Sequence, residues 1–198
     1  MKNLIYLISC VILLSCNKKD NLNDTNSLKI ANQYLTEYYK TKNQKFLEKS
    51  YKSLNENTVY KEEGITNDNK ELVLPLLMYM KKYDELEKLL QEDTILDKYQ
   101  KEITSNLIKS LNNQKDMELS KKYIYKNIDL IQNKITSTPN DSLLYTQYFV
   151  MKLYLNGRDK TLQEIDSMKA KNPKYSKAYY DYILRDLIEE YPQELLYK

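Results

Sequence analysis

The chain has 198 residues, 41% hydrophobic, with 31 lysines and arginines against 28 acids and a formal net charge of +3. That length allows one or at most two domains, and the balance is too small to imply nucleic acid or an acidic membrane surface. Histidine is missing altogether, which removes the usual general base near neutral pH, the serine–histidine relay and the commonest metal ligand.

The first stretch reads as a secretory signal. Lys2 supplies the positive start and residues 4–14 an apolar run, shorter than the roughly 20 residues a membrane span needs. Leu13-Leu14-Ser15-Cys16 closes it and resembles the lipobox of bacterial lipoproteins, a branched or apolar residue and then a small one before the cysteine. The resemblance implies that diacylglycerol alkylates the Cys16 thiol, that the chain is cut after Ser15, and that the new amine can receive a fatty acid. Leu7-Ile8-Ser9-Cys10 fits the same pattern but leaves too short an apolar core. The alternative is an uncleaved anchor helix over residues 4–14, and either reading places the rest outside the cytoplasm. Asn17 is not the aspartate that retains some lipoproteins at an inner membrane, so the outer membrane is favoured where a bacterium has two.

Residues 16–26, polar apart from Cys16 and Leu22, are expected to form the lipidated cysteine and its tether, and residues 27–198 a helical domain. Ile30, Ala31, Tyr34, Leu35 and Tyr38 recur at helical spacing, as do Phe46, Leu47, Ser50, Tyr51 and Leu54, with Lys42-Asn43 as the break of a hairpin. Residues 55–67 read as the longest irregular stretch. Asp68 or Asn69 can start a helix reaching Met80 that Pro75 either kinks from inside or marks as its true first turn, and Tyr83-Asp84-Glu85 opens its partner. A third pair is expected over 95–111 and 117–135, and a fourth over 143–155 and 159–171, joined at Gly157. A fifth begins near Ser176 and closes with a helix from Pro192 to Tyr197.

These hairpins carry a repeat. Pro139 and Pro173 lie 34 residues apart, and Ser142, Tyr145, Tyr148, Phe149, Val150 and Leu153 match Ser176, Tyr179, Tyr182, Ile183, Leu184 and Leu187, with Ile131 matching Ile165. A 34-residue helix–turn–helix period resembles the tetratricopeptide repeat. Tyr145 takes the place of that family's first-helix tryptophan and Tyr148 that of its leucine, while Thr161, Ile165 and Pro173 fill later positions. Phe149 and Ile183 replace its glycine, and Lys152 and Asp186 its tyrosine. The expected fold is therefore all-α, antiparallel hairpins stacked as a short TPR-like α-solenoid, with an irregular helical bundle as the alternative. In that register Tyr145 and Tyr148 point into the groove of the fourth hairpin, with Ile131 and Ile165 packed at the same level.

The chemical inventory points away from an enzyme, a cofactor or a metal. Gly64 and Gly157 are the two glycines, so no glycine-rich phosphate cradle exists. Asn67-Asp68-Asn69 lacks the turn glycine of a calcium loop, and Met78 stands where its bidentate glutamate belongs. The adjacent acids Glu62-Glu63 and Glu189-Glu190 read as solvated charge. Cys16 is the one thiol left after cleavage, and it is lipidated in this reading. Arg158 and Arg185 are the only arginines among 31 basic residues, whereas phosphate readers favour arginine's planar fork. There are 20 tyrosines and no tryptophan. Those off the apolar stripes, Tyr39, Tyr125, Tyr154 and Tyr180, are the candidate interaction surface.

The expected function is a non-catalytic scaffold of the bacterial cell envelope, held at a bilayer through acylated Cys16 and capturing an envelope protein or peptide. Two alternatives stand beside it. One is an immunity or inhibitor lipoprotein, the other a glycan- or peptide-binding lipoprotein of nutrient uptake.

Overall fold

The computed structural model describes residues 24–92, 95–171, 178–191 and 196. All regular structure among them is helical. The described residues up to Lys101 form one compact unit and those from Glu102 another. Cys16 and the expected signal segment lie outside the described residues.

The first unit opens with α1 (Asp24–Thr41), so the expected tether loses its last three residues to a helix. Ala31, Leu35 and Tyr38, spaced four and three apart, are each at most 2% exposed and form its packed stripe. Lys42 takes a left-handed φ of +56°, and its N–H bonds the Tyr38 carbonyl at 2.7 Å, ending the helix. The Asn43 side chain accepts from the Lys45 N–H at 3.1 Å and starts α2 (Gln44–Asn55). The two helices pack closely, with the Ser50 hydroxyl donating to the Ala31 carbonyl at 2.7 Å.

The stretch expected to be irregular contains a helix, α3 (Thr58–Glu63). Asn57 is fully buried there. Its side chain accepts from the Tyr60 N–H at 2.7 Å and donates to the Ser27 hydroxyl at 2.9 Å. After Gly64 (φ +69°), where a Cβ would meet Leu89 at 3.1 Å, the buried Asn69 side chain ties the loop. It accepts from the Thr66 N–H and donates to the Gly64 carbonyl, both at 2.8 Å, instead of capping the helix that follows.

That helix, α4 (Lys70–Tyr79), is buried at every position but Glu71, as expected of a central element apolar on all sides. Pro75 sits inside it, so the Glu71 carbonyl receives no bond from position 75. At its end Lys81 adopts φ +57°, the Lys82 N–H bonds Leu77 at 2.9 Å and the Lys81 N–H bonds Met78 at 3.0 Å. This is a Schellman closure with lysine where glycine is usual. α5 (Tyr83–Glu92) follows and packs Leu86 and Leu90 inward. α6 (Lys98–Asn112) runs across the division between units.

In the second unit α6 runs antiparallel to α7 (Met117–Ser137), joined by a buried polar ladder. Asn106 donates to the Asn127 side chain at 3.0 Å, Asn127 donates to the Ile103 carbonyl at 2.8 Å, and Ser120 donates to the Ser110 carbonyl at 2.8 Å. Asp116 caps α7 and Asp141 caps α8 (Ser142–Asn156). Gly157, at φ +75°, turns the chain into α9 (Arg158–Lys171). α8 packs against both α7 and α9.

In place of the plain helix expected near Ser176, the described part of the last element is a π-helical turn over Tyr179–Arg185 that passes into α10 (Asp186–Glu189). It packs on α9, where Lys169 pairs with Asp181 and Arg185 with Asp166 at 2.9 Å. Of the expected closing helix, all but Leu196 lies outside the described residues.

Candidate interaction groove

The side chains singled out by sequence are not gathered in one place. Tyr125 is 55% exposed on α7. Tyr39 is half-buried on α1, where it meets Tyr38 and Tyr79 with ring centroids 6.0 and 5.5 Å away; burial, and secondarily Tyr38, push its phenol well above the usual value. Tyr154 and Tyr180 correct the expectation of exposure, being 3% and 1% exposed. The Tyr154 ring stands edge-on to Tyr191 at 5.8 Å, and the two hydroxyls share a hydrogen bond of 2.8 Å. Arg158 closes the same corner by donating to the carbonyls of Ile188 and Tyr191 at 3.1 and 2.8 Å. The reason is geometric: α8 is packed on several sides, so leaving one apolar stripe does not bring a residue to solvent.

The same crowding leaves one concavity beside Tyr145 and Tyr148. Both are half-buried rather than packed away. They line a groove of about 430 Å³ with Gln132, Ile135 and Thr136 of α7 and Met168 of α9. Tyr145 and Tyr148, three apart, share a face of α8. Ile131 and Ile165, 0% and 1% exposed, lie in the core. Tyr148 meets Phe149 edge-on at 5.4 Å, and the Lys152 ammonium sits 5.7 Å from its ring centre. Lys152 also pairs with Glu164 at 3.2 Å, and Asn156 donates to that carboxylate's other oxygen at 2.7 Å. Burial opposes the Lys152 charge, but the Glu164 hydrogen bond and Tyr148 outweigh it and hold the ammonium above its ordinary value.

No protein-family model, curated protein or solved structure matches this chain. The groove must therefore be read from its own chemistry. Two tyrosines, an isoleucine and a methionine offer apolar contact, and the amide of Gln132 offers hydrogen bonds at its edge, while the Thr136 hydroxyl donates to the Gln132 carbonyl at 3.0 Å and can still accept. Such a surface can hold a side chain or a short segment by contact. Among the described residues no three of His, Cys, Asp and Glu gather in a group able to hold a metal ion. No described helix is long and apolar enough to cross a membrane. Sequence reasoning missed Gln132, Thr136 and Met168, because nothing in the 34-residue period marks the faces of α7 and α9 that meet beside Tyr145.

The first unit holds a second polar cluster. The Glu85 carboxylate of α5 accepts from the Tyr51 hydroxyl of α2 at 2.8 Å and from the Tyr60 hydroxyl of α3 at 3.0 Å. Lys82 lies 3.6 Å from the carboxylate and 4.3 Å above the Tyr51 ring. Burial, and then the Glu85 charge and hydrogen bond, push the Tyr60 phenol up. Both carboxylate oxygens are engaged within the fold, so this cluster binds helices to one another.

Proposed function

We propose that the chain is a non-catalytic interaction scaffold of the bacterial cell envelope, anchored in a bilayer by lipid on Cys16, and that the groove beside Tyr145 and Tyr148 captures a peptide segment of an envelope protein. The supporting observation is the pair of half-exposed tyrosines over a concavity of about 430 Å³, set among packed antiparallel helices. The 34-residue match between the segments after Pro139 and Pro173 supports a TPR-like stacking of those helices, an arrangement that leaves concave faces for partners. Tyrosine suits such a face because its ring provides area and its hydroxyl a directed bond at low entropic cost.

The volume also falls in the range of small-ligand sites, which keeps a glycan- or peptide-binding lipoprotein as the second reading. A photo-reactive amino acid placed at Tyr148 tests the first. A discrete cross-linked envelope protein, absent when the probe sits at exposed Glu118, is the expected result. No adduct at position 148, together with a raised melting temperature on adding oligosaccharide, decides for the second.

A further inference from the structure

The formal charge of +3 is an average that conceals where the charge lies. Residues 37–52, the end of the α1–α2 hairpin, contain Lys40, Lys42, Lys45, Lys49 and Lys52 against Glu37 and Glu48, which leaves 26 basic and 26 acidic residues in the rest of the chain. That stretch, the end of α1 and most of α2, thus carries a net +3; residues 98–115 and 121–134 carry as much, and what sets the hairpin apart is a stripe of exposed lysines beside stacked aromatic rings. Lys45, Lys49 and Lys52 are four and three apart on α2, so they share a stripe, and all are exposed. That stripe lies away from buried Leu47 and Leu54, and none of its three ammonium groups pairs with a carboxylate among the described residues.

Aromatic rings flank the stripe. Tyr34 of α1 and Phe46 of α2 are half-exposed and stacked, with centroids 6.3 Å apart and planes 27° apart. The Lys49 ammonium stands 5.5 and 5.8 Å from the two centroids. Lys42, in its left-handed turn, lies 5.4 Å from the Tyr38 centroid.

We infer that this end of the α1–α2 hairpin lies against an anionic phospholipid surface. Lysines at that depth meet phosphates while their stems and the neighbouring rings rest at the headgroup level. The occupant is a lipid plane rather than an acidic peptide for two reasons. The positive groups are flexible point charges without an arginine fork to fix a carboxylate. They also run along the exposed face of α2, from its first turn at Lys45 to its last at Lys52, and none lines the groove beside Tyr145. The attraction needs no acyl chain, so it is separate from lipidation at Cys16 and from the groove of the second unit.

The test uses the chain from Asn17 onward, which keeps every described residue, sedimented with vesicles of phosphatidylcholine alone or enriched in phosphatidylglycerol. Binding to the anionic vesicles only, weakening with added salt, is the expected result. Each lysine near such a surface is worth roughly fivefold in partitioning, so Lys42→Gln/Lys45→Gln/Lys49→Gln lowers it about a hundredfold. Lys121→Gln/Lys122→Gln/Lys126→Gln on α7 leaves it nearly unchanged. Circular dichroism checks both variants, and the salt dependence of the unaltered chain stands apart from either. Absent sedimentation, equal loss in the two variants, or capture of polyglutamate with vesicles left unbound each overturns the inference.

Discussion

Thr104 carries the buried side-chain oxygen that lacks a hydrogen-bond partner among the described residues. Its hydroxyl is held out of water without compensation, a cost of about 1–3 kcal/mol. Thr104→Val keeps the shape and replaces the hydroxyl with a methyl, so the variant is expected to gain about 1 kcal/mol and to melt higher. An unchanged or lower midpoint in urea would show that the hydroxyl has a partner in solution. Tyr60 shows the opposite case, a phenol whose neutral form is favoured by burial and by the Glu85 carboxylate. A group whose pKa is raised on folding stabilises the fold fully below its unfolded value, near 10 for tyrosine, and loses that contribution as pH rises toward the folded value. Stability should therefore fall as pH climbs above about 10, Tyr39 contributing in the same direction. Tyr60→Phe is less stable at neutral pH because it loses the bond to Glu85, and its melting temperature should fall less steeply across that window. Thermal melts of both proteins at several pH values would expose a parallel fall and so refute the assignment.

Helices in the first unit are joined by one carboxylate. Glu85 on α5 holds α2 through Tyr51 and α3 through Tyr60. Hydrogen bonds to a charged group are worth about 1.5–3 kcal/mol each, so Glu85→Ala, discounted because the carboxylate is about a third exposed, is expected to cost about 2–4 kcal/mol and Glu85→Gln less, since it keeps one acceptor. Equal losses from the two in a denaturant series would mean that packing of the side-chain stem, not the pair of bonds, is at work. In the second unit the stability ranking of the tyrosines reverses what the 34-residue register implies. Tyr154 is 3% exposed and bonded to Tyr191, so Tyr154→Ala should cost about 3–5 kcal/mol. Tyr148→Ala removes a half-exposed ring and should cost about 1–2 kcal/mol while weakening partner capture directly. Should Tyr148→Ala prove the more damaging to the melt, the groove is closed in solution. Much of the helix pattern could be read beforehand, because Asn43, Asp116, Asp141 and Gly157 are local signals that act within a few residues. Short α3 escaped because its start rests on Asn57, whose side chain is fixed partly by distant Ser27. Tyr154 and Tyr180 were misplaced for a similar reason. Periodicity gives the face that one neighbour covers, whereas α8 and the π-helical turn meet several. Half of the groove was legible in Tyr145 and Tyr148, and the part supplied by Gln132, Thr136 and Met168 depends on which helix faces come together.

At the scale of the whole chain the remaining question is address, and its proposed signal, the lipobox-like segment of residues 1–16, lies outside the described residues. With α1 beginning at Asp24, residues 16–23 are left to link the proposed lipid to the first unit. Eight residues reach at most about 28 Å, whatever their conformation. α1 itself rises about 27 Å over its 18 residues. The far side of α1 is therefore within reach of the same bilayer, so both attachments can act on one plane. The diacylglycerol proposed on Cys16 carries two acyl chains and already anchors stably, so a basic hairpin would orient the first unit on the bilayer rather than hold it there. Cys16→Ala is accordingly expected to abolish incorporation of a fatty-acid analogue and to leave a heavier, uncut precursor, held by its apolar residues 4–14. Lys42→Gln/Lys45→Gln/Lys49→Gln should label and mature normally, since the hairpin takes no part in that chemistry. Metabolic labelling followed by gel electrophoresis separates the two effects. Equal label in Cys16→Ala and the unaltered protein would sink the lipid anchor, whatever the hairpin does on vesicles.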